Sequence, residues 1–176
     1  MNDPFATLGI EPRFEIDLRQ MEQRHRDLSR ALHPDRYSGT PAAERRLALG
    51  RAIEVNDSFR LLRDPIRRGE ALMRRAGIPV GETEEPKPSM DLLMEMMESR
   101  EELSDAARKK DAAAIKRLGD AMRAREETVI ASLGAGFDEA GGDRDRLRAI
   151  LPKLGELRYL RRFLDEVSAL EEELLF

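Results

Sequence analysis

Apolar positions recur along this chain at three- and four-residue intervals, interrupted by short polar stretches rich in Gly or Pro. The first stretch, Asp3-Pro4-Phe5-Ala6-Thr7-Leu8-Gly9-Ile10, reads as one helical turn closed by Gly9. Asp17 can cap a helix reaching to about Leu32, with Leu18, Met21, His25, Leu28 and Leu32 on one buried stripe. At about 100° per residue, Arg19, Arg26 and Arg30 fall on the opposite side together with Gln23, giving a basic outer face. Pro34 ends this helix and pushes His33 out of the helical region. After a loop of Asp, Ser, Gly and Pro, a second helix is predicted from about Pro41 to Leu62, its residues Ala48, Ala52, Val55, Phe59 and Leu62 repeating at 4-3-4-3. Two such helices joined by a short loop should form an antiparallel hairpin. Asp64-Pro65 ends the second, and a shorter helix over about Ile66 to Arg75 stops before Gly77 and Pro79.

Pro79, Gly81, Pro86 and Pro88 lie among acidic residues, which marks 78–88 as a linker. Ser89 then caps a helix to about Lys110, and another covers roughly 111–133 with Ile115, Leu118, Met122 and Ile130. Gly134, Gly136, Gly141 and Gly142 are read as a turn region. A last helix carries Leu154, Leu157, Leu160, Phe163, Leu164, Val167, Leu170 and Leu174, with Pro152 either kinking it or marking its start. No stretch reads as a strand, a repeat or a low-complexity tract. The expectation is an all-α chain of two domains, 1–77 and 89–176, joined by 78–88.

The helix after Ser89 has more apolar residues than one core stripe requires. Leu92, Met96, Leu103 and Ala107 form one face, and Leu93, Met94 and Met97 form a second, more than ~90° away. Glu98, Glu101 and Asp105 continue the second face. Periodicity leaves two outcomes open: a middle helix packed on both sides, or an exposed docking surface in which Met adapts to a partner and the acids set its orientation.

Composition narrows the possibilities. Apolar residues make up 40% and charged residues 38%, with Trp absent, so the core must be built from Leu, Met, Ile and Ala, which suits helix packing. A net charge of −4 argues against nucleic-acid binding by bulk electrostatics. The absence of cysteine excludes disulfides, thiol catalysis and thiolate metal ligands. No run approaches the ~20 apolar residues of a membrane span and no signal-peptide pattern is present, so a cytoplasmic protein without membrane attachment is expected. No phosphate-binding loop of Walker type is present, and His33 has no nucleophile or oxyanion arrangement in view. The chain is expected to be no enzyme and to hold no cofactor or metal.

The tripeptide His33-Pro34-Asp35 acquires meaning from its setting between a basic helix and a second amphipathic helix that carries Asn56 and then Asp64-Pro65. Residues 3–76 resemble a J domain through Phe5, Leu8, Arg30, His33-Pro34-Asp35-Arg36, Asn56, Phe59, Leu62 and Asp64-Pro65. The whole chain resembles the HscB family of iron–sulfur co-chaperones. Further residues carrying that resemblance are Arg68 to Leu72 ahead of Gly77, Leu93-Met94-Glu95 to Glu101-Glu102-Leu103, and Leu157-Arg158-Tyr159-Leu160.

The resemblance implies an L-shaped molecule with a J domain and a C-terminal three-helix bundle. It implies that His33, Pro34, Asp35, Arg19, Arg26, Arg30 and Arg36 address a DnaK/HscA-type chaperone and stimulate its ATPase. It further implies that Leu93, Met94, Met97, Glu98, Glu101, Asp105 and Tyr159 bind an IscU-type scaffold on which iron–sulfur clusters are assembled. Asp105 stands where the family often has Glu. Some members carry a cysteine-bearing N-terminal metal module, which has no counterpart here, so cluster thiolates would come from the scaffold. The alternative is a general J-domain co-chaperone delivering another client.

Overall fold

The computed structural model describes residues 3–80 and 88–174 and is all-α, with no strand among those residues. The helices are α1 (Pro4–Leu8), α2 (Leu18–Ala31), α3 (Ala42–Arg63), α4 (Pro65–Arg75), α5 (Met90–Arg108), α6 (Ala112–Ala140) and α7 (Arg144–Glu173), and a 3-10 turn, Pro34–Tyr37, lies between α2 and α3. The chain divides into two compact units, Met1–Pro79 and Val80–Phe176. Most of the stretch read as a linker, residues 81–87, lies outside the described residues. Ile78 is buried, and its N–H donates to the Met73 carbonyl at 2.9 Å.

The first unit is a hairpin of α2 and α3 flanked by α1 and α4. Asp17 caps α2 by accepting from the Arg19 and Gln20 amides, and Gly9 closes α1 in the left-handed conformation, φ 63°. Phe5, Leu8, Met21, Val55, Leu62 and Ala71 make its core, with Leu28, Leu32 and Phe59 packed against it. Leu18, expected on the buried stripe, is 48% exposed. It is the first residue of α2, and the inward face begins one turn later at Met21. His25 is packed between the two helices: its ring stacks on Phe59 with centroids 4.2 Å apart, and Nε2 lies 2.8 Å from Asn56 Oδ1.

The second unit is a bundle of α5, α6 and α7. Its buried residues include Leu92, Met96, Leu103, Ile115, Leu133, Leu154, Leu157, Leu160, Phe163 and Val167. Here the sequence expectation needs correction. Gly134 and Gly136 are helical, since α6 continues to Ala140, and only Gly141 and Gly142, at φ 54° and 88°, make the turn. The reason is packing: a Cβ at Gly136 would lie 2.9 Å from Ile150 Cγ2, so glycine there admits α7. Pro152 lies inside α7, and Asp143 caps the true start nine residues earlier. Arg125 of α6 pairs with Glu95 of α5 and with Glu156 of α7, joining all three helices.

Candidate functional site

Two surfaces carry the chemistry that the sequence singled out, one in each unit. The first is built on the turn between α2 and α3. His33 precedes Pro34 with φ −61° and ψ 134°, the extended geometry that proline imposes on its predecessor. The Asp35 amide donates to His33 Nδ1 at 3.3 Å, and Asp35 Oδ2 lies 3.4 Å from the same nitrogen. With Nδ1 accepting, the ring N–H donor is Nε2. The two side chains are 58% and 90% exposed, so an imidazole N–H donor and a carboxylate acceptor stand side by side in solvent.

This turn is fastened by residues that sequence reasoning did not select. Tyr37 Oη donates to the Ala31 carbonyl at 3.4 Å, tying the turn back to α2. Ser38 Oγ donates to the Asp35 carbonyl and Thr40 Oγ1 to the Tyr37 carbonyl, both at 3.0 Å. Arg45 of α3 donates to the Thr40 carbonyl at 2.6 Å. Behind the turn lies a largely apolar hollow lined by Leu32, Pro34, Tyr37, Ala48, Leu49 and Ala52. The only sequence signal for this fastening is a run of hydroxyl-bearing residues after Asp35.

Arg19, Arg26, Arg30 and Arg36 are all exposed. The outer face of α2 is not purely basic, because Arg26 lies 3.9 Å from Glu22 and donates to Gln23, which in turn donates to Asp27. Exposed pairs of this kind are weak and screened by salt, so they leave the positive potential available to a partner.

The second surface is the outward face of α5. Leu92, Met96, Leu103 and Ala106 are buried, whereas Met94 and Met97 are 56% and 71% exposed and Leu93 is half-buried. Glu98 and Glu101 are exposed, and Asp105 accepts from Arg108 at 2.6 Å. The second face is therefore open, which rules out a helix packed on both sides. Met90 joins it at 71% exposure, one turn ahead of Met94. Its place at the helix start hid it from a reading that began with Leu92.

Helices α5 and α7 run in the same direction: Arg100 donates to Glu166 at 2.9 Å, and a shallow groove is lined by Leu103 and Ala107 on one side and Ala169 and Leu170 on the other. Seven residues back along each helix lie Leu93 and Tyr159, so these two are level on neighbouring helices. Tyr159 is half-buried, and the Arg162 guanidinium lies 5.9 Å from its ring centroid. Among the described residues no group of three or more His, Asp or Glu side chains is placed to hold a metal ion, and no helix is long and apolar enough to cross a membrane.

Comparison with known proteins agrees across the whole length. Residues 88–168 match the family described as the HSCB C-terminal oligomerisation domain. The co-chaperone protein HscB homolog of Neisseria meningitidis serogroup A is 31% identical over 169 residues, spanning 96% of this chain and 99% of that one. The Shewanella oneidensis homolog is 32% identical over 172 residues, spanning 97% and 98%. The solved structure of chaperone HscB from Vibrio cholerae superposes with a TM-score of 0.84 at 26% identity, covering 98% of this chain and 99% of its own. With a J-type hairpin, a helical C-terminal unit and near-complete coverage of such relatives, the chain belongs to the HscB family of co-chaperones.

Proposed function

We propose that this co-chaperone serves iron–sulfur protein maturation, stimulating the ATPase of a DnaK/HscA-type chaperone through His33-Pro34-Asp35 while α5 and Tyr159 hold an IscU-type scaffold. The supporting observation is the solvent-facing His33–Asp35 pair on a turn fastened from both helices. A carboxylate presented to solvent on a fastened backbone can compete for an arginine on the partner through a charge-assisted bond. Arg19, Arg26 and Arg30 along α2 and Arg36 in the turn add positive potential to this unit and speed encounter with an acidic surface. Hydrolysis itself takes place in the partner, and the co-chaperone acts by favouring the hydrolysis-competent state, a shift of population rather than a chemical step. The open Met and acid face of α5 suits a partner that also buries Tyr159.

The test is single-turnover ATP hydrolysis by the chaperone. His33→Gln should abolish stimulation and leave the helical signal of the chain unchanged. Leu93→Ala with Met97→Ala should weaken scaffold binding by about a hundredfold and leave stimulation by the unloaded co-chaperone intact. Stimulation retained by His33→Gln would overturn the first part, and retained scaffold affinity the second.

A further inference from the structure

The chain has no cysteine, so methionine is its only sulfur and its most readily oxidised side chain. Seven of its eight methionines are described, and they fall into two sets. Met21, Met73, Met96 and Met122 are buried in the cores of the two units. Met90, Met94 and Met97 are the exposed ones, and their 4-3 spacing sets all three on one stripe of α5. Oxidisable sulfur is thus concentrated on the face to which the proposed function assigns the scaffold.

We infer that Met90, Met94 and Met97 form a peroxide-sensitive modification site whose sulfoxides close this docking face, an inference that rests on the scaffold reading above. In each step a thioether lone pair attacks the distal oxygen of hydrogen peroxide. The S–O bond forms, the O–O bond breaks, the sulfur loses two electrons, and the departing hydroxide takes the proton of the new S–OH group, leaving sulfoxide and water. The product is a polar, chiral group where an adaptable apolar one stood. A sulfoxide carried into an interface core without a partner for its oxygen weakens binding by about tenfold or more. The fold is untouched, because none of the three side chains belongs to the core. Methionine sulfoxide reductases would restore the face.

The experiment treats the full chain with hydrogen peroxide, maps added oxygen by peptide mass spectrometry, and titrates purified IscU-type scaffold before and after. Oxygen should appear at Met90, Met94 and Met97 well before Met21, Met73, Met96 or Met122. Scaffold affinity should fall at least tenfold with the thermal midpoint unchanged, and sulfoxide reductase should restore it. In the variant Met90→Leu, Met94→Leu, Met97→Leu, scaffold affinity measured before and after peroxide treatment should not differ, whatever its starting value, and a peroxide-induced loss in this variant would overturn the inference. Uniform oxidation, or an oxidised chain that binds as well as the untreated one, would overturn the inference while leaving the proposed function standing. An untreated chain that binds no scaffold would instead overturn the proposed function, and the docking consequence with it.

Discussion

Asp64 and Arg68 show how much single residues at the head of α4 contribute. Asp64 Oδ1 accepts from the Ile66 and Arg67 amides at 2.8 and 3.0 Å, satisfying two donors that the helix itself leaves unpaired. Asp64→Ala should cost about 1 kcal/mol in urea unfolding. Arg68 is buried, donates to the Leu62 carbonyl at 2.7 Å and lies 5.0 Å from the centre of the Phe14 ring. Burial pulls its pKa down and the nearby Asp64 charge opposes that fall. Arg68→Leu strands the Leu62 carbonyl and should cost about 1–3 kcal/mol, more than loss of the cap. Asp143, the cap of α7, adds a pH signature. Bonding from the Arg146 amide, foremost, and from the Asp145 amide lowers its pKa below the ordinary 3.8. Its contribution is complete above that value and is lost as pH falls through the lowered one, so acid unfolding of Asp143→Asn should show a flatter slope below about pH 4 than the parent chain. The caps Asp17 and Ser89 and the break at His33-Pro34 were legible in sequence because Asp, Ser and Pro act on their immediate neighbours, whereas the cap at Asp143 was not, since it follows directly on a pair of glycines that read only as a turn. The burial of Arg68 was not, since an arginine reads as surface until Phe14 and the Leu62 carbonyl are placed around it. The fastening by Tyr37 and Arg45 was hidden because the carbonyls they reach, at Ala31 and Thr40, are brought within range only by the backbone path of the turn itself.

Along whole helices the same residue type has opposite effects according to its neighbours. Gly50 lies in the interior of α3, and a Cβ there would meet nothing within 4 Å. Gly119 lies in the interior of α6, and a Cβ there would come 2.8 Å from Val167 Cγ1. Replacing an exposed helical glycine with alanine gains about 0.5–1 kcal/mol from propensity and reduced unfolded-state entropy. Overpacking against a stiff β-branched side chain costs about 1–3 kcal/mol. Gly50→Ala should therefore raise stability and Gly119→Ala lower it, a difference in sign that chemical denaturation of the two variants would reveal. This is also why the end of α6 was misread. Glycine carries two meanings in a sequence, a turn or a close approach, and the pattern at Gly134 and Gly136 does not separate them. The existence of the long helices, by contrast, followed from the spacing of apolar residues, and that of the short α1 and α4 from the Gly, Asp and Pro residues that bound them. The open second face of α5 was visible as an excess of apolar positions, but deciding its exposure required knowing that α6 and α7 both pack on the opposite side.

At the scale of the molecule, the modest net charge of −4 conceals a separation between the two units. Residues 1–79 carry 15 basic and 12 acidic side chains, and residues 80–176 carry 16 and 23. The division into units was legible where the helical pattern lapses near Pro79, but an averaged charge cannot show that one unit is positive and the other negative. On the proposed function, each unit meets its own partner through a field of opposite sign, and such fields act mainly on the rate of encounter. Arg26→Glu with Arg30→Glu should slow association with the chaperone about tenfold at low salt. Glu98→Lys with Glu101→Lys should slow association with the scaffold to a similar extent. Each double variant should leave the other partner's rate unchanged, because the altered side chains are exposed and each unit has its own core. Both effects should fade toward 1 M salt, where the screening length is only about 3 Å. Stopped-flow association rates measured across ionic strength test the crossed pattern. If one double variant slowed both partners equally, encounter would be governed by the field of the entire chain and the separation of charge between the units would have no part in partner choice.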